Sequence, residues 1–101
     1  MTATQESAGP ELDPVIHPAH RLRICAALVD ASEVEFATLR EIVGVSDSVL
    51  SKQLSALADA DYVSTKRAAR AGRQRVWVRL TDAGRAAFTA HVAALRAIVG
   101  G

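Results

Sequence analysis

Apolar residues recur every three or four positions in four stretches of the chain, which is the spacing of helices that bury one face. Polar residues fill the intervening positions, so each helix is expected to keep its other face in solvent. The pattern predicts four helices, over residues 17–31, 38–43, 46–60 and 82–99.

The residues that bound these stretches favour helix ends. Gly44 follows the second helix and readily takes the left-handed conformation of a C-cap. Ser46 precedes the third helix as a good N-cap, and Thr81 precedes the last helix in the same way. Because the second and third helices are joined by about three residues with a glycine at the corner, they are expected to form a helix-turn-helix.

Alternating polar and apolar residues predict an antiparallel hairpin between the third and last helices. Its strands are expected at Tyr62–Lys66 and Arg75–Leu80, with the tip at Ala71–Gly72. Asp61 precedes the hairpin at a turn position, where a short polar side chain tolerates positive φ. A further strand of one or two residues is expected within Glu33–Phe36.

The length of 101 residues suits one domain. Residues 1–16 contain Pro10 and Pro14 and no periodic pattern, so a flexible N-terminal leader is expected there, followed by one domain over residues 17–101. Cys25 is the only cysteine and is expected to be buried. No apolar run approaches the roughly 20 residues that span a bilayer and no secretory signal is visible, so a cytoplasmic protein is expected.

The charges are unevenly distributed along a chain whose formal net charge is only +1. Between residues 66 and 79 there are six cations and no acid, which predicts a local positive potential on one face. These cations are Lys66, Arg67, Arg70, Arg73, Arg75 and Arg79.

Three segments together resemble the winged helix-turn-helix regulators of the MarR-like and ArsR-like bacterial families. They are the run from Phe36 to Leu54 (FATLREIVGVSDSVLSKQL), then Asp61-Tyr62-Val63, then the run from Leu80 to Arg85 (LTDAGR). The resemblance covers residues 17–99. It implies a mainly α fold with a small β-hairpin wing, in the order α-α-α-β-β-α, assembled as a two-fold dimer. Asp61 departs from the family pattern, which usually has glycine there.

The resemblance also implies how the domain meets double-stranded DNA. The third helix would enter the major groove, and the wing, residues 66–76, would lie on the backbone or in the minor groove. Gln53 could read adenine with two hydrogen bonds, and Lys52 suits a phosphate or guanine. Asp47 is expected to cap the helix rather than to touch DNA. The candidate contacts are Ser46, Ser48, Ser51, Lys52, Gln53, Arg67, Arg70, Arg73 and Arg75.

Two residues leave alternatives open. Arg40 on the second helix is expected either to contact a phosphate or to pair with nearby acids. Trp77 could offer a stacking platform for single-stranded nucleic acid, but sustained stacking usually draws on several aromatic residues. Packing of its ring against a helix or a partner surface is therefore the preferred interpretation.

The first and last helices carry more apolar surface than a small monomer readily covers. An isologous dimer through these helices would place two recognition helices about one DNA turn, roughly 34 Å, apart and predicts a pseudo-palindromic operator. The candidate dimer contacts are Leu22, Leu28, Phe88, Val92, Leu95, Ile98 and Val99. Any small-molecule effector, as yet unidentified, would bind at the dimer interface or within the helical core, because the chain has no room for a separate ligand domain.

Other kinds of function find less support in the sequence. His17, His20, His91 and Cys25 could in principle form a metal site between the first and last helices, but without a cysteine pair or a carboxylate-histidine cluster no metal or cofactor is expected. No nucleophile stands at a spacing that suggests catalysis. The sequence therefore predicts a homodimeric DNA-binding transcription regulator, a repressor by its resemblance. The alternative is a winged-helix module whose basic wing docks an acidic protein.

Overall fold

Four helices and a three-stranded antiparallel sheet make up the fold, as seen in a computed structural model that describes residues 11–100. The strands lie in the order β1-β3-β2. This architecture confirms the predicted winged helix-turn-helix, including the short first strand. The elements are α1 (Ala19–Val29), β1 (Val34–Glu35), α2 (Phe36–Val43), α3 (Asp47–Asp59), β2 (Val63–Arg70), β3 (Arg73–Leu80) and α4 (Asp82–Val99).

The local signals at the helix ends act as predicted. Gly44 ends α2 with a left-handed φ of 77°. The hydroxyl of Ser46 accepts the backbone N–H of Val49 at 3.2 Å, and the hydroxyl of Thr81 accepts that of Gly84 at 2.9 Å. Asp61 has a φ of 64°, so aspartate takes the conformation for which the related families use glycine. These caps fix the corner between α2 and α3 and the start of α4.

The core lies between the first three helices and the inner face of the sheet. Burying one Leu or Ile side chain completely contributes roughly 1.5–3 kcal/mol, so a few such residues dominate the stability of a small domain. Leu28 is among them, and the prediction that it contacts a second subunit is wrong, because its own domain encloses it. The fully enclosed aliphatic residues are Ile16, Ile24, Leu28, Leu39, Leu50, Leu57 and Val78.

The hairpin is longer than predicted, because the strands continue to a two-residue turn. Ala71 and Gly72 both have positive φ, at 52° and 77°. Turns of this kind match the twist of a hairpin, so pairing extends to Arg70 opposite Arg73. The wing arginines therefore lie on paired strands rather than in an open loop, with Arg67 on one face of the hairpin and Arg70, Arg73 and Arg75 on the other.

The leader prediction is wrong for its last part. Residues 11–16 pack against the domain, and Ile16 is fully buried in the core. Asp13 accepts the hydroxyl of Tyr62 at 2.7 Å, and the Asp13 backbone N–H donates to His91 at 2.9 Å. A sequence without a period still docks here, because Val15 and Ile16 pack on the core and Asp13 supplies the hydrogen bonds. Residues 1–10 lie outside the described part of the chain.

The helices between residues 11 and 100 include none with the length and hydrophobicity that a membrane crossing requires.

Helix α4 approaches the start of the hairpin very closely at Gly84. A Cβ atom at this position would stand 2.0 Å from the carbonyl oxygen of Tyr62. That carbonyl also accepts the backbone N–H of Thr81 at 3.0 Å, and the hydroxyl of Thr81 donates to the carbonyl of Asp61 at 2.6 Å. Only glycine permits this junction between the wing and the last helix.

We expect Gly84→Ala to destabilise the domain by about 1–3 kcal/mol, because the added methyl meets backbone atoms that cannot rotate away. Chemical denaturation followed by the fluorescence of Trp77 measures this change. Ala86→Gly, on the exposed side of the same helix, is the control. It should destabilise the domain by about 1 kcal/mol, because glycine has a lower helix propensity than alanine. A Gly84→Ala variant that unfolds at the wild-type midpoint would contradict the close approach.

Candidate nucleic-acid interface

Helix α3 presents a row of small polar side chains to solvent. Ser48, Ser51 and Lys52 are exposed, as predicted for a recognition helix. Ser55 continues the same row and was missed by the sequence analysis, although its position four residues after Ser51 and seven after Ser48 marks it by helical spacing. Ser46 is exposed too, but its hydroxyl is engaged as the cap of the helix.

The corner of the helix-turn-helix is closed by an ion pair. Arg40 Nε lies 3.0 Å from the Asp47 carboxylate, and a guanidinium nitrogen of Arg40 lies 4.0 Å from Glu41. Of the two roles left open for Arg40, the structure contains the local pair. Asp47 stands in the first turn of α3, where its charge also suits the helix dipole.

Gln53 is turned toward α1 rather than toward the exposed row. Its side-chain oxygen accepts Arg21 Nε at 2.9 Å, and both residues are half-buried. Arg21 was missed by the sequence analysis, and no local signal marks it, because the partners are 32 positions apart. Its second donor reaches the carbonyl of Val15 at 3.2 Å.

A groove of about 380 Å³ separates α3 from the hairpin. Ser51 and Ser55 line it from the helix, and Thr65 and Val76 line it from the strands. Arg67 pairs with Val76 across the hairpin, so its side chain belongs to the sheet face that is turned toward α3. Two residues of the exposed row thus line the groove, and Arg67 lies on the sheet face that forms its other wall.

The outer face of the hairpin carries arginines that are paired with the acids around β1. Arg70 donates to the Glu33 carboxylate at 2.6 Å, and Lys66 lies 3.5 Å from the same group. Arg75 forms an ion pair with Glu35. The hydrogen bond from Arg70 lowers the pKa of Glu33, so the acid stays charged at neutral pH.

Trp77 lies on this outer face beneath Arg70. The guanidinium carbon of Arg70 stands 4.2 Å from the centroid of the ring, which is a cation–π contact. The strand pairing places Lys66 and Glu35 on either side of Trp77. The tryptophan thus packs beside charged side chains of its own sheet, and its ring holds the Arg70 guanidinium against the outer face of the hairpin.

Three of the positively charged residues predicted to contact DNA take part in no ion pair within residues 11–100. They are Lys52 on α3, Arg67 on the groove side of the hairpin and Arg73 beside its tip, and all three are exposed. These cations are immediately available to phosphates, whereas Arg40, Arg70 and Arg75 would first have to leave an acid.

A second polar cluster ties the N-terminal segment to α4. His91 is buried, and its Nδ1 atom accepts the backbone N–H of Asp13. His17 lies beside it, with ring centroids 5.4 Å apart. Within residues 11–100, no three His, Cys, Asp or Glu side chains come together as a metal-binding group. Burial raises the pKa of the Cys25 thiol to about 11, so this residue is a neutral part of the core.

A helix-turn-helix with an exposed polar face, followed by a hairpin with free arginines, defines a winged-helix DNA-binding protein. The family model described as "Winged helix DNA-binding domain" matches residues 20–99. The chain belongs to this family.

Several known proteins resemble this chain, and the solved structures among them include transcriptional regulators. An uncharacterized protein of Methanocaldococcus jannaschii, MJ0432, is 31% identical over 72 residues, which are 71% of this chain and 78% of that protein. A transcriptional regulator homologue of Pyrococcus horikoshii OT3 shares the fold, with a TM-score of 0.80, 22% identity and 86% of each chain covered. The MarR family regulator SPO1453 of Silicibacter pomeroyi matches with a TM-score of 0.63 and 29% identity, over 82% of this chain and 57% of that one. The resemblance to MarR-like DNA-binding regulators of transcription is thereby confirmed.

We expect acid to loosen the contact between the N-terminal segment and α4. Burial, followed by the neighbouring His17, lowers the pKa of His91. The charge of Asp13 acts in the opposite direction but is too weak to reverse the shift. A lowered folded-state pKa means that neutral His91 adds stability above its unfolded pKa near 6.5, and that this stability is lost as the pH falls through the folded-state pKa. Protonated Nδ1 would also cease to accept the Asp13 N–H.

Asp13 itself titrates in a separate, more acidic step. Burial raises the pKa of its carboxyl, but hydrogen bonds from Tyr62 and from the backbone of Val15 and Ile16 outweigh burial and leave the pKa below 3.8. The unfolding temperature of the wild type should therefore fall between about pH 7.5 and pH 5, as His91 becomes protonated. The expected fall is about 4–8 °C for each kcal/mol of unfolding free energy lost. His91→Asn keeps an acceptor near the Nδ1 position without titrating and should flatten the profile, while His17→Asn should retain most of it. An unchanged profile in His91→Asn would contradict this assignment.

Proposed function

We propose that this chain is a homodimeric, sequence-specific regulator that represses transcription by occupying a pseudo-palindromic operator. In this proposal α3 reads bases in the major groove, and the hairpin tip lies along the backbone or in the minor groove. The observation that carries it is a groove lined by the exposed Ser51 and Ser55 of α3 and by the sheet face that also carries the unpaired Arg67. The repressor part rests on the resemblance to MarR-like and ArsR-like regulators.

Phosphate contacts supply most of the affinity in such an interface, and base contacts supply the sequence preference. Lys52, Arg67 and Arg73 are the first phosphate ligands in the proposal, because no acid must be displaced. Arg70 at the tip can join them only by leaving Glu33 and the ring of Trp77. Serine hydroxyls both donate and accept, so they suit bases and phosphates alike.

The dimer is proposed through α4 and the end of α1. Ile98 and Val99 are 59% and 76% exposed, which is unusual for large aliphatic side chains. Between α4 and the end of α1 lies a groove of about 270 Å³, whose apolar lining includes Val29, Phe88 and Val92. A two-fold contact here would cover this surface and set two α3 helices against successive turns of DNA. In this proposal the protein is not an enzyme, and a small-molecule effector stays a prediction.

Selection of bound duplexes from a random pool at near-physiological salt tests the proposal. We expect an inverted repeat with half-sites about 10 base pairs apart. The variant Arg67→Ala Arg73→Ala should weaken binding to all sequences and flatten the slope of log affinity against log salt by about two units, one for each phosphate lost. Enrichment of a single half-site would leave DNA recognition intact and remove the dimer.

A wild-type protein that enriches no duplex would overturn the proposal. Capture of an acidic protein through the same arginines would then favour the alternative, a winged-helix module for protein contacts. The two functions also differ in sequence preference, since only DNA recognition through α3 would retain a preferred site in high salt.

We expect Glu33→Gln to raise DNA affinity by about two- to tenfold and to steepen the salt slope, because Arg70 and Lys66 lose their internal acid and one negative charge leaves the wing. Fluorescence anisotropy with the selected duplex at several salt concentrations measures both effects. Asp30→Asn removes the same charge from an exposed acid that pairs with no wing residue within residues 11–100 and should change affinity little. Weaker binding by Glu33→Gln would mean that the pair orders the wing for DNA instead of restraining it.

A further inference from the structure

Helix α4 keeps one face free of its own domain along its whole length. The residues of this outer face recur at spacings of four and three, which is the spacing of a seam between two packed helices. They are Asp82, Ala86, Thr89, Ala93 and Arg96. All five are exposed, so no element within residues 11–100 covers the outer face.

The middle of the outer face can be buried at little cost. The side chains of Ala86 and Ala93 are single methyl groups, and the Thr89 hydroxyl donates to the carbonyl of Arg85 at 3.0 Å, so its donor is used within the helix. Small side chains at a contact allow two helix axes to approach to about 8 Å. Another helix could therefore pack here without leaving a buried donor unpaired.

The groove between α4 and the end of α1 extends the outer face on one side. Its lining includes Thr89 and Ala93 of that face together with the apolar Phe88 and Val92. Arg85 is turned away to the end of α1, where it donates to the carbonyl of Val29. The groove thus adds apolar surface to the outer face, which suits an apolar partner rather than solvent.

Opposite charges stand at the two ends of the outer face. Asp82 lies in the first turn of α4 and Arg96 in the last, and neither takes part in an ion pair within residues 11–100. The helical rise of about 1.5 Å per residue separates them by about 21 Å, so they cannot meet within one chain. Thr89 stands midway between them. A two-fold axis beside Thr89 would lay α4 antiparallel to its copy and bring Asp82 within about one helical turn of Arg96 of the partner subunit.

We propose that α4 packs antiparallel against α4 of a second copy of this chain, with the two-fold axis beside Thr89 and two ion pairs, each between Asp82 and Arg96 of the partner subunit. This inference rests on the proposed function, because it takes the homodimer proposed there and specifies the orientation and register of its subunits. The charges are complementary only in the antiparallel arrangement. A parallel pair would set like charges against each other at both ends, which repels.

Each of the two charges also suits the dipole of its own helix, because an acid lies near the N-terminus and a base near the C-terminus. An exchange of both charges separates the two effects. The variant Asp82→Arg Arg96→Asp has an unfavourable charge at both ends of its own helix, yet its antiparallel dimer regains both ion pairs. Recovery of the dimer in this variant can therefore come only from contacts between chains.

Sedimentation equilibrium of the free protein at about 50 mM salt tests the proposal, because surface charges are only weakly screened there. Asp82→Arg and Arg96→Asp should each raise the dimer dissociation constant by about tenfold, since symmetry turns two attractions into two repulsions. The double exchange should return the constant to within about threefold of the wild type. An equimolar mixture of the two single variants should do the same, because their heterodimer has two pairs of opposite charge. Asp59→Arg reverses an exposed acid of α3 and should leave the constant unchanged.

The outcomes separate this inference from the proposed function. A dimer whose dissociation constant changes in neither single variant would overturn the antiparallel arrangement and leave the homodimer standing. Weakened single variants that neither the double exchange nor the mixture restores would also overturn it, since disturbed helix ends alone would produce that result. A wild type that stays monomeric would overturn both the arrangement and the homodimer, while the duplex selection would still decide DNA recognition.

Discussion

The alternation of side chains along the β2–β3 hairpin decides which cations this domain can offer to DNA. Because Ala71 and Gly72 both take positive φ, the turn needs only two residues and the strands pair up to Arg70 and Arg73. Every residue of the wing is then assigned to one face by a period of two. Arg67 falls on the face toward α3, and Arg70 falls on the outer face above Trp77. A looser tip would have left both arginines free to turn toward a phosphate.

The short strand β1 contributes charge as well as pairing. The run between residues 66 and 79 contains no acid, and its sequence therefore suggests an uncompensated positive surface. The sheet places Glu33 and Glu35 beside that run, where they engage Arg70 and Arg75. These pairs are partly exposed, so each contributes little to stability. Their larger effect is on orientation, since a guanidinium that is paired with an acid and stacked on a ring does not extend toward the backbone of a nucleic acid.

What the sequence predicts well is local. Gly44, Ser46 and Thr81 act through hydrogen bonds and backbone angles within a few residues of themselves, so composition and spacing are enough to place them. The contacts that define the interface are of another kind. Arg21 meets Gln53 across 32 positions, and Arg70 meets Glu33 across 37. Nothing in the neighbourhood of either arginine reports such a partner. Ile16 was hidden for a similar reason, because the two apolar residues between Pro14 and Pro18 form no period that would mark either of them as core.

The small size of the domain explains why residues distant in sequence are needed to support the recognition helix. Helix α3 has 13 residues and buries only one side, with Leu50, Leu54 and Leu57 in the core. Its exposed row must nevertheless keep a fixed register against a groove, because hydrogen-bond readout depends on atomic positions. The corner pair of Arg40 and Asp47 fixes the start of the helix. Further along, Arg21 fixes the Gln53 amide against α1 and the N-terminal segment. In a chain of this length, support for the recognition helix comes from segments that lie far away in sequence, because the local turns of the chain offer too few partners to fix its side chains.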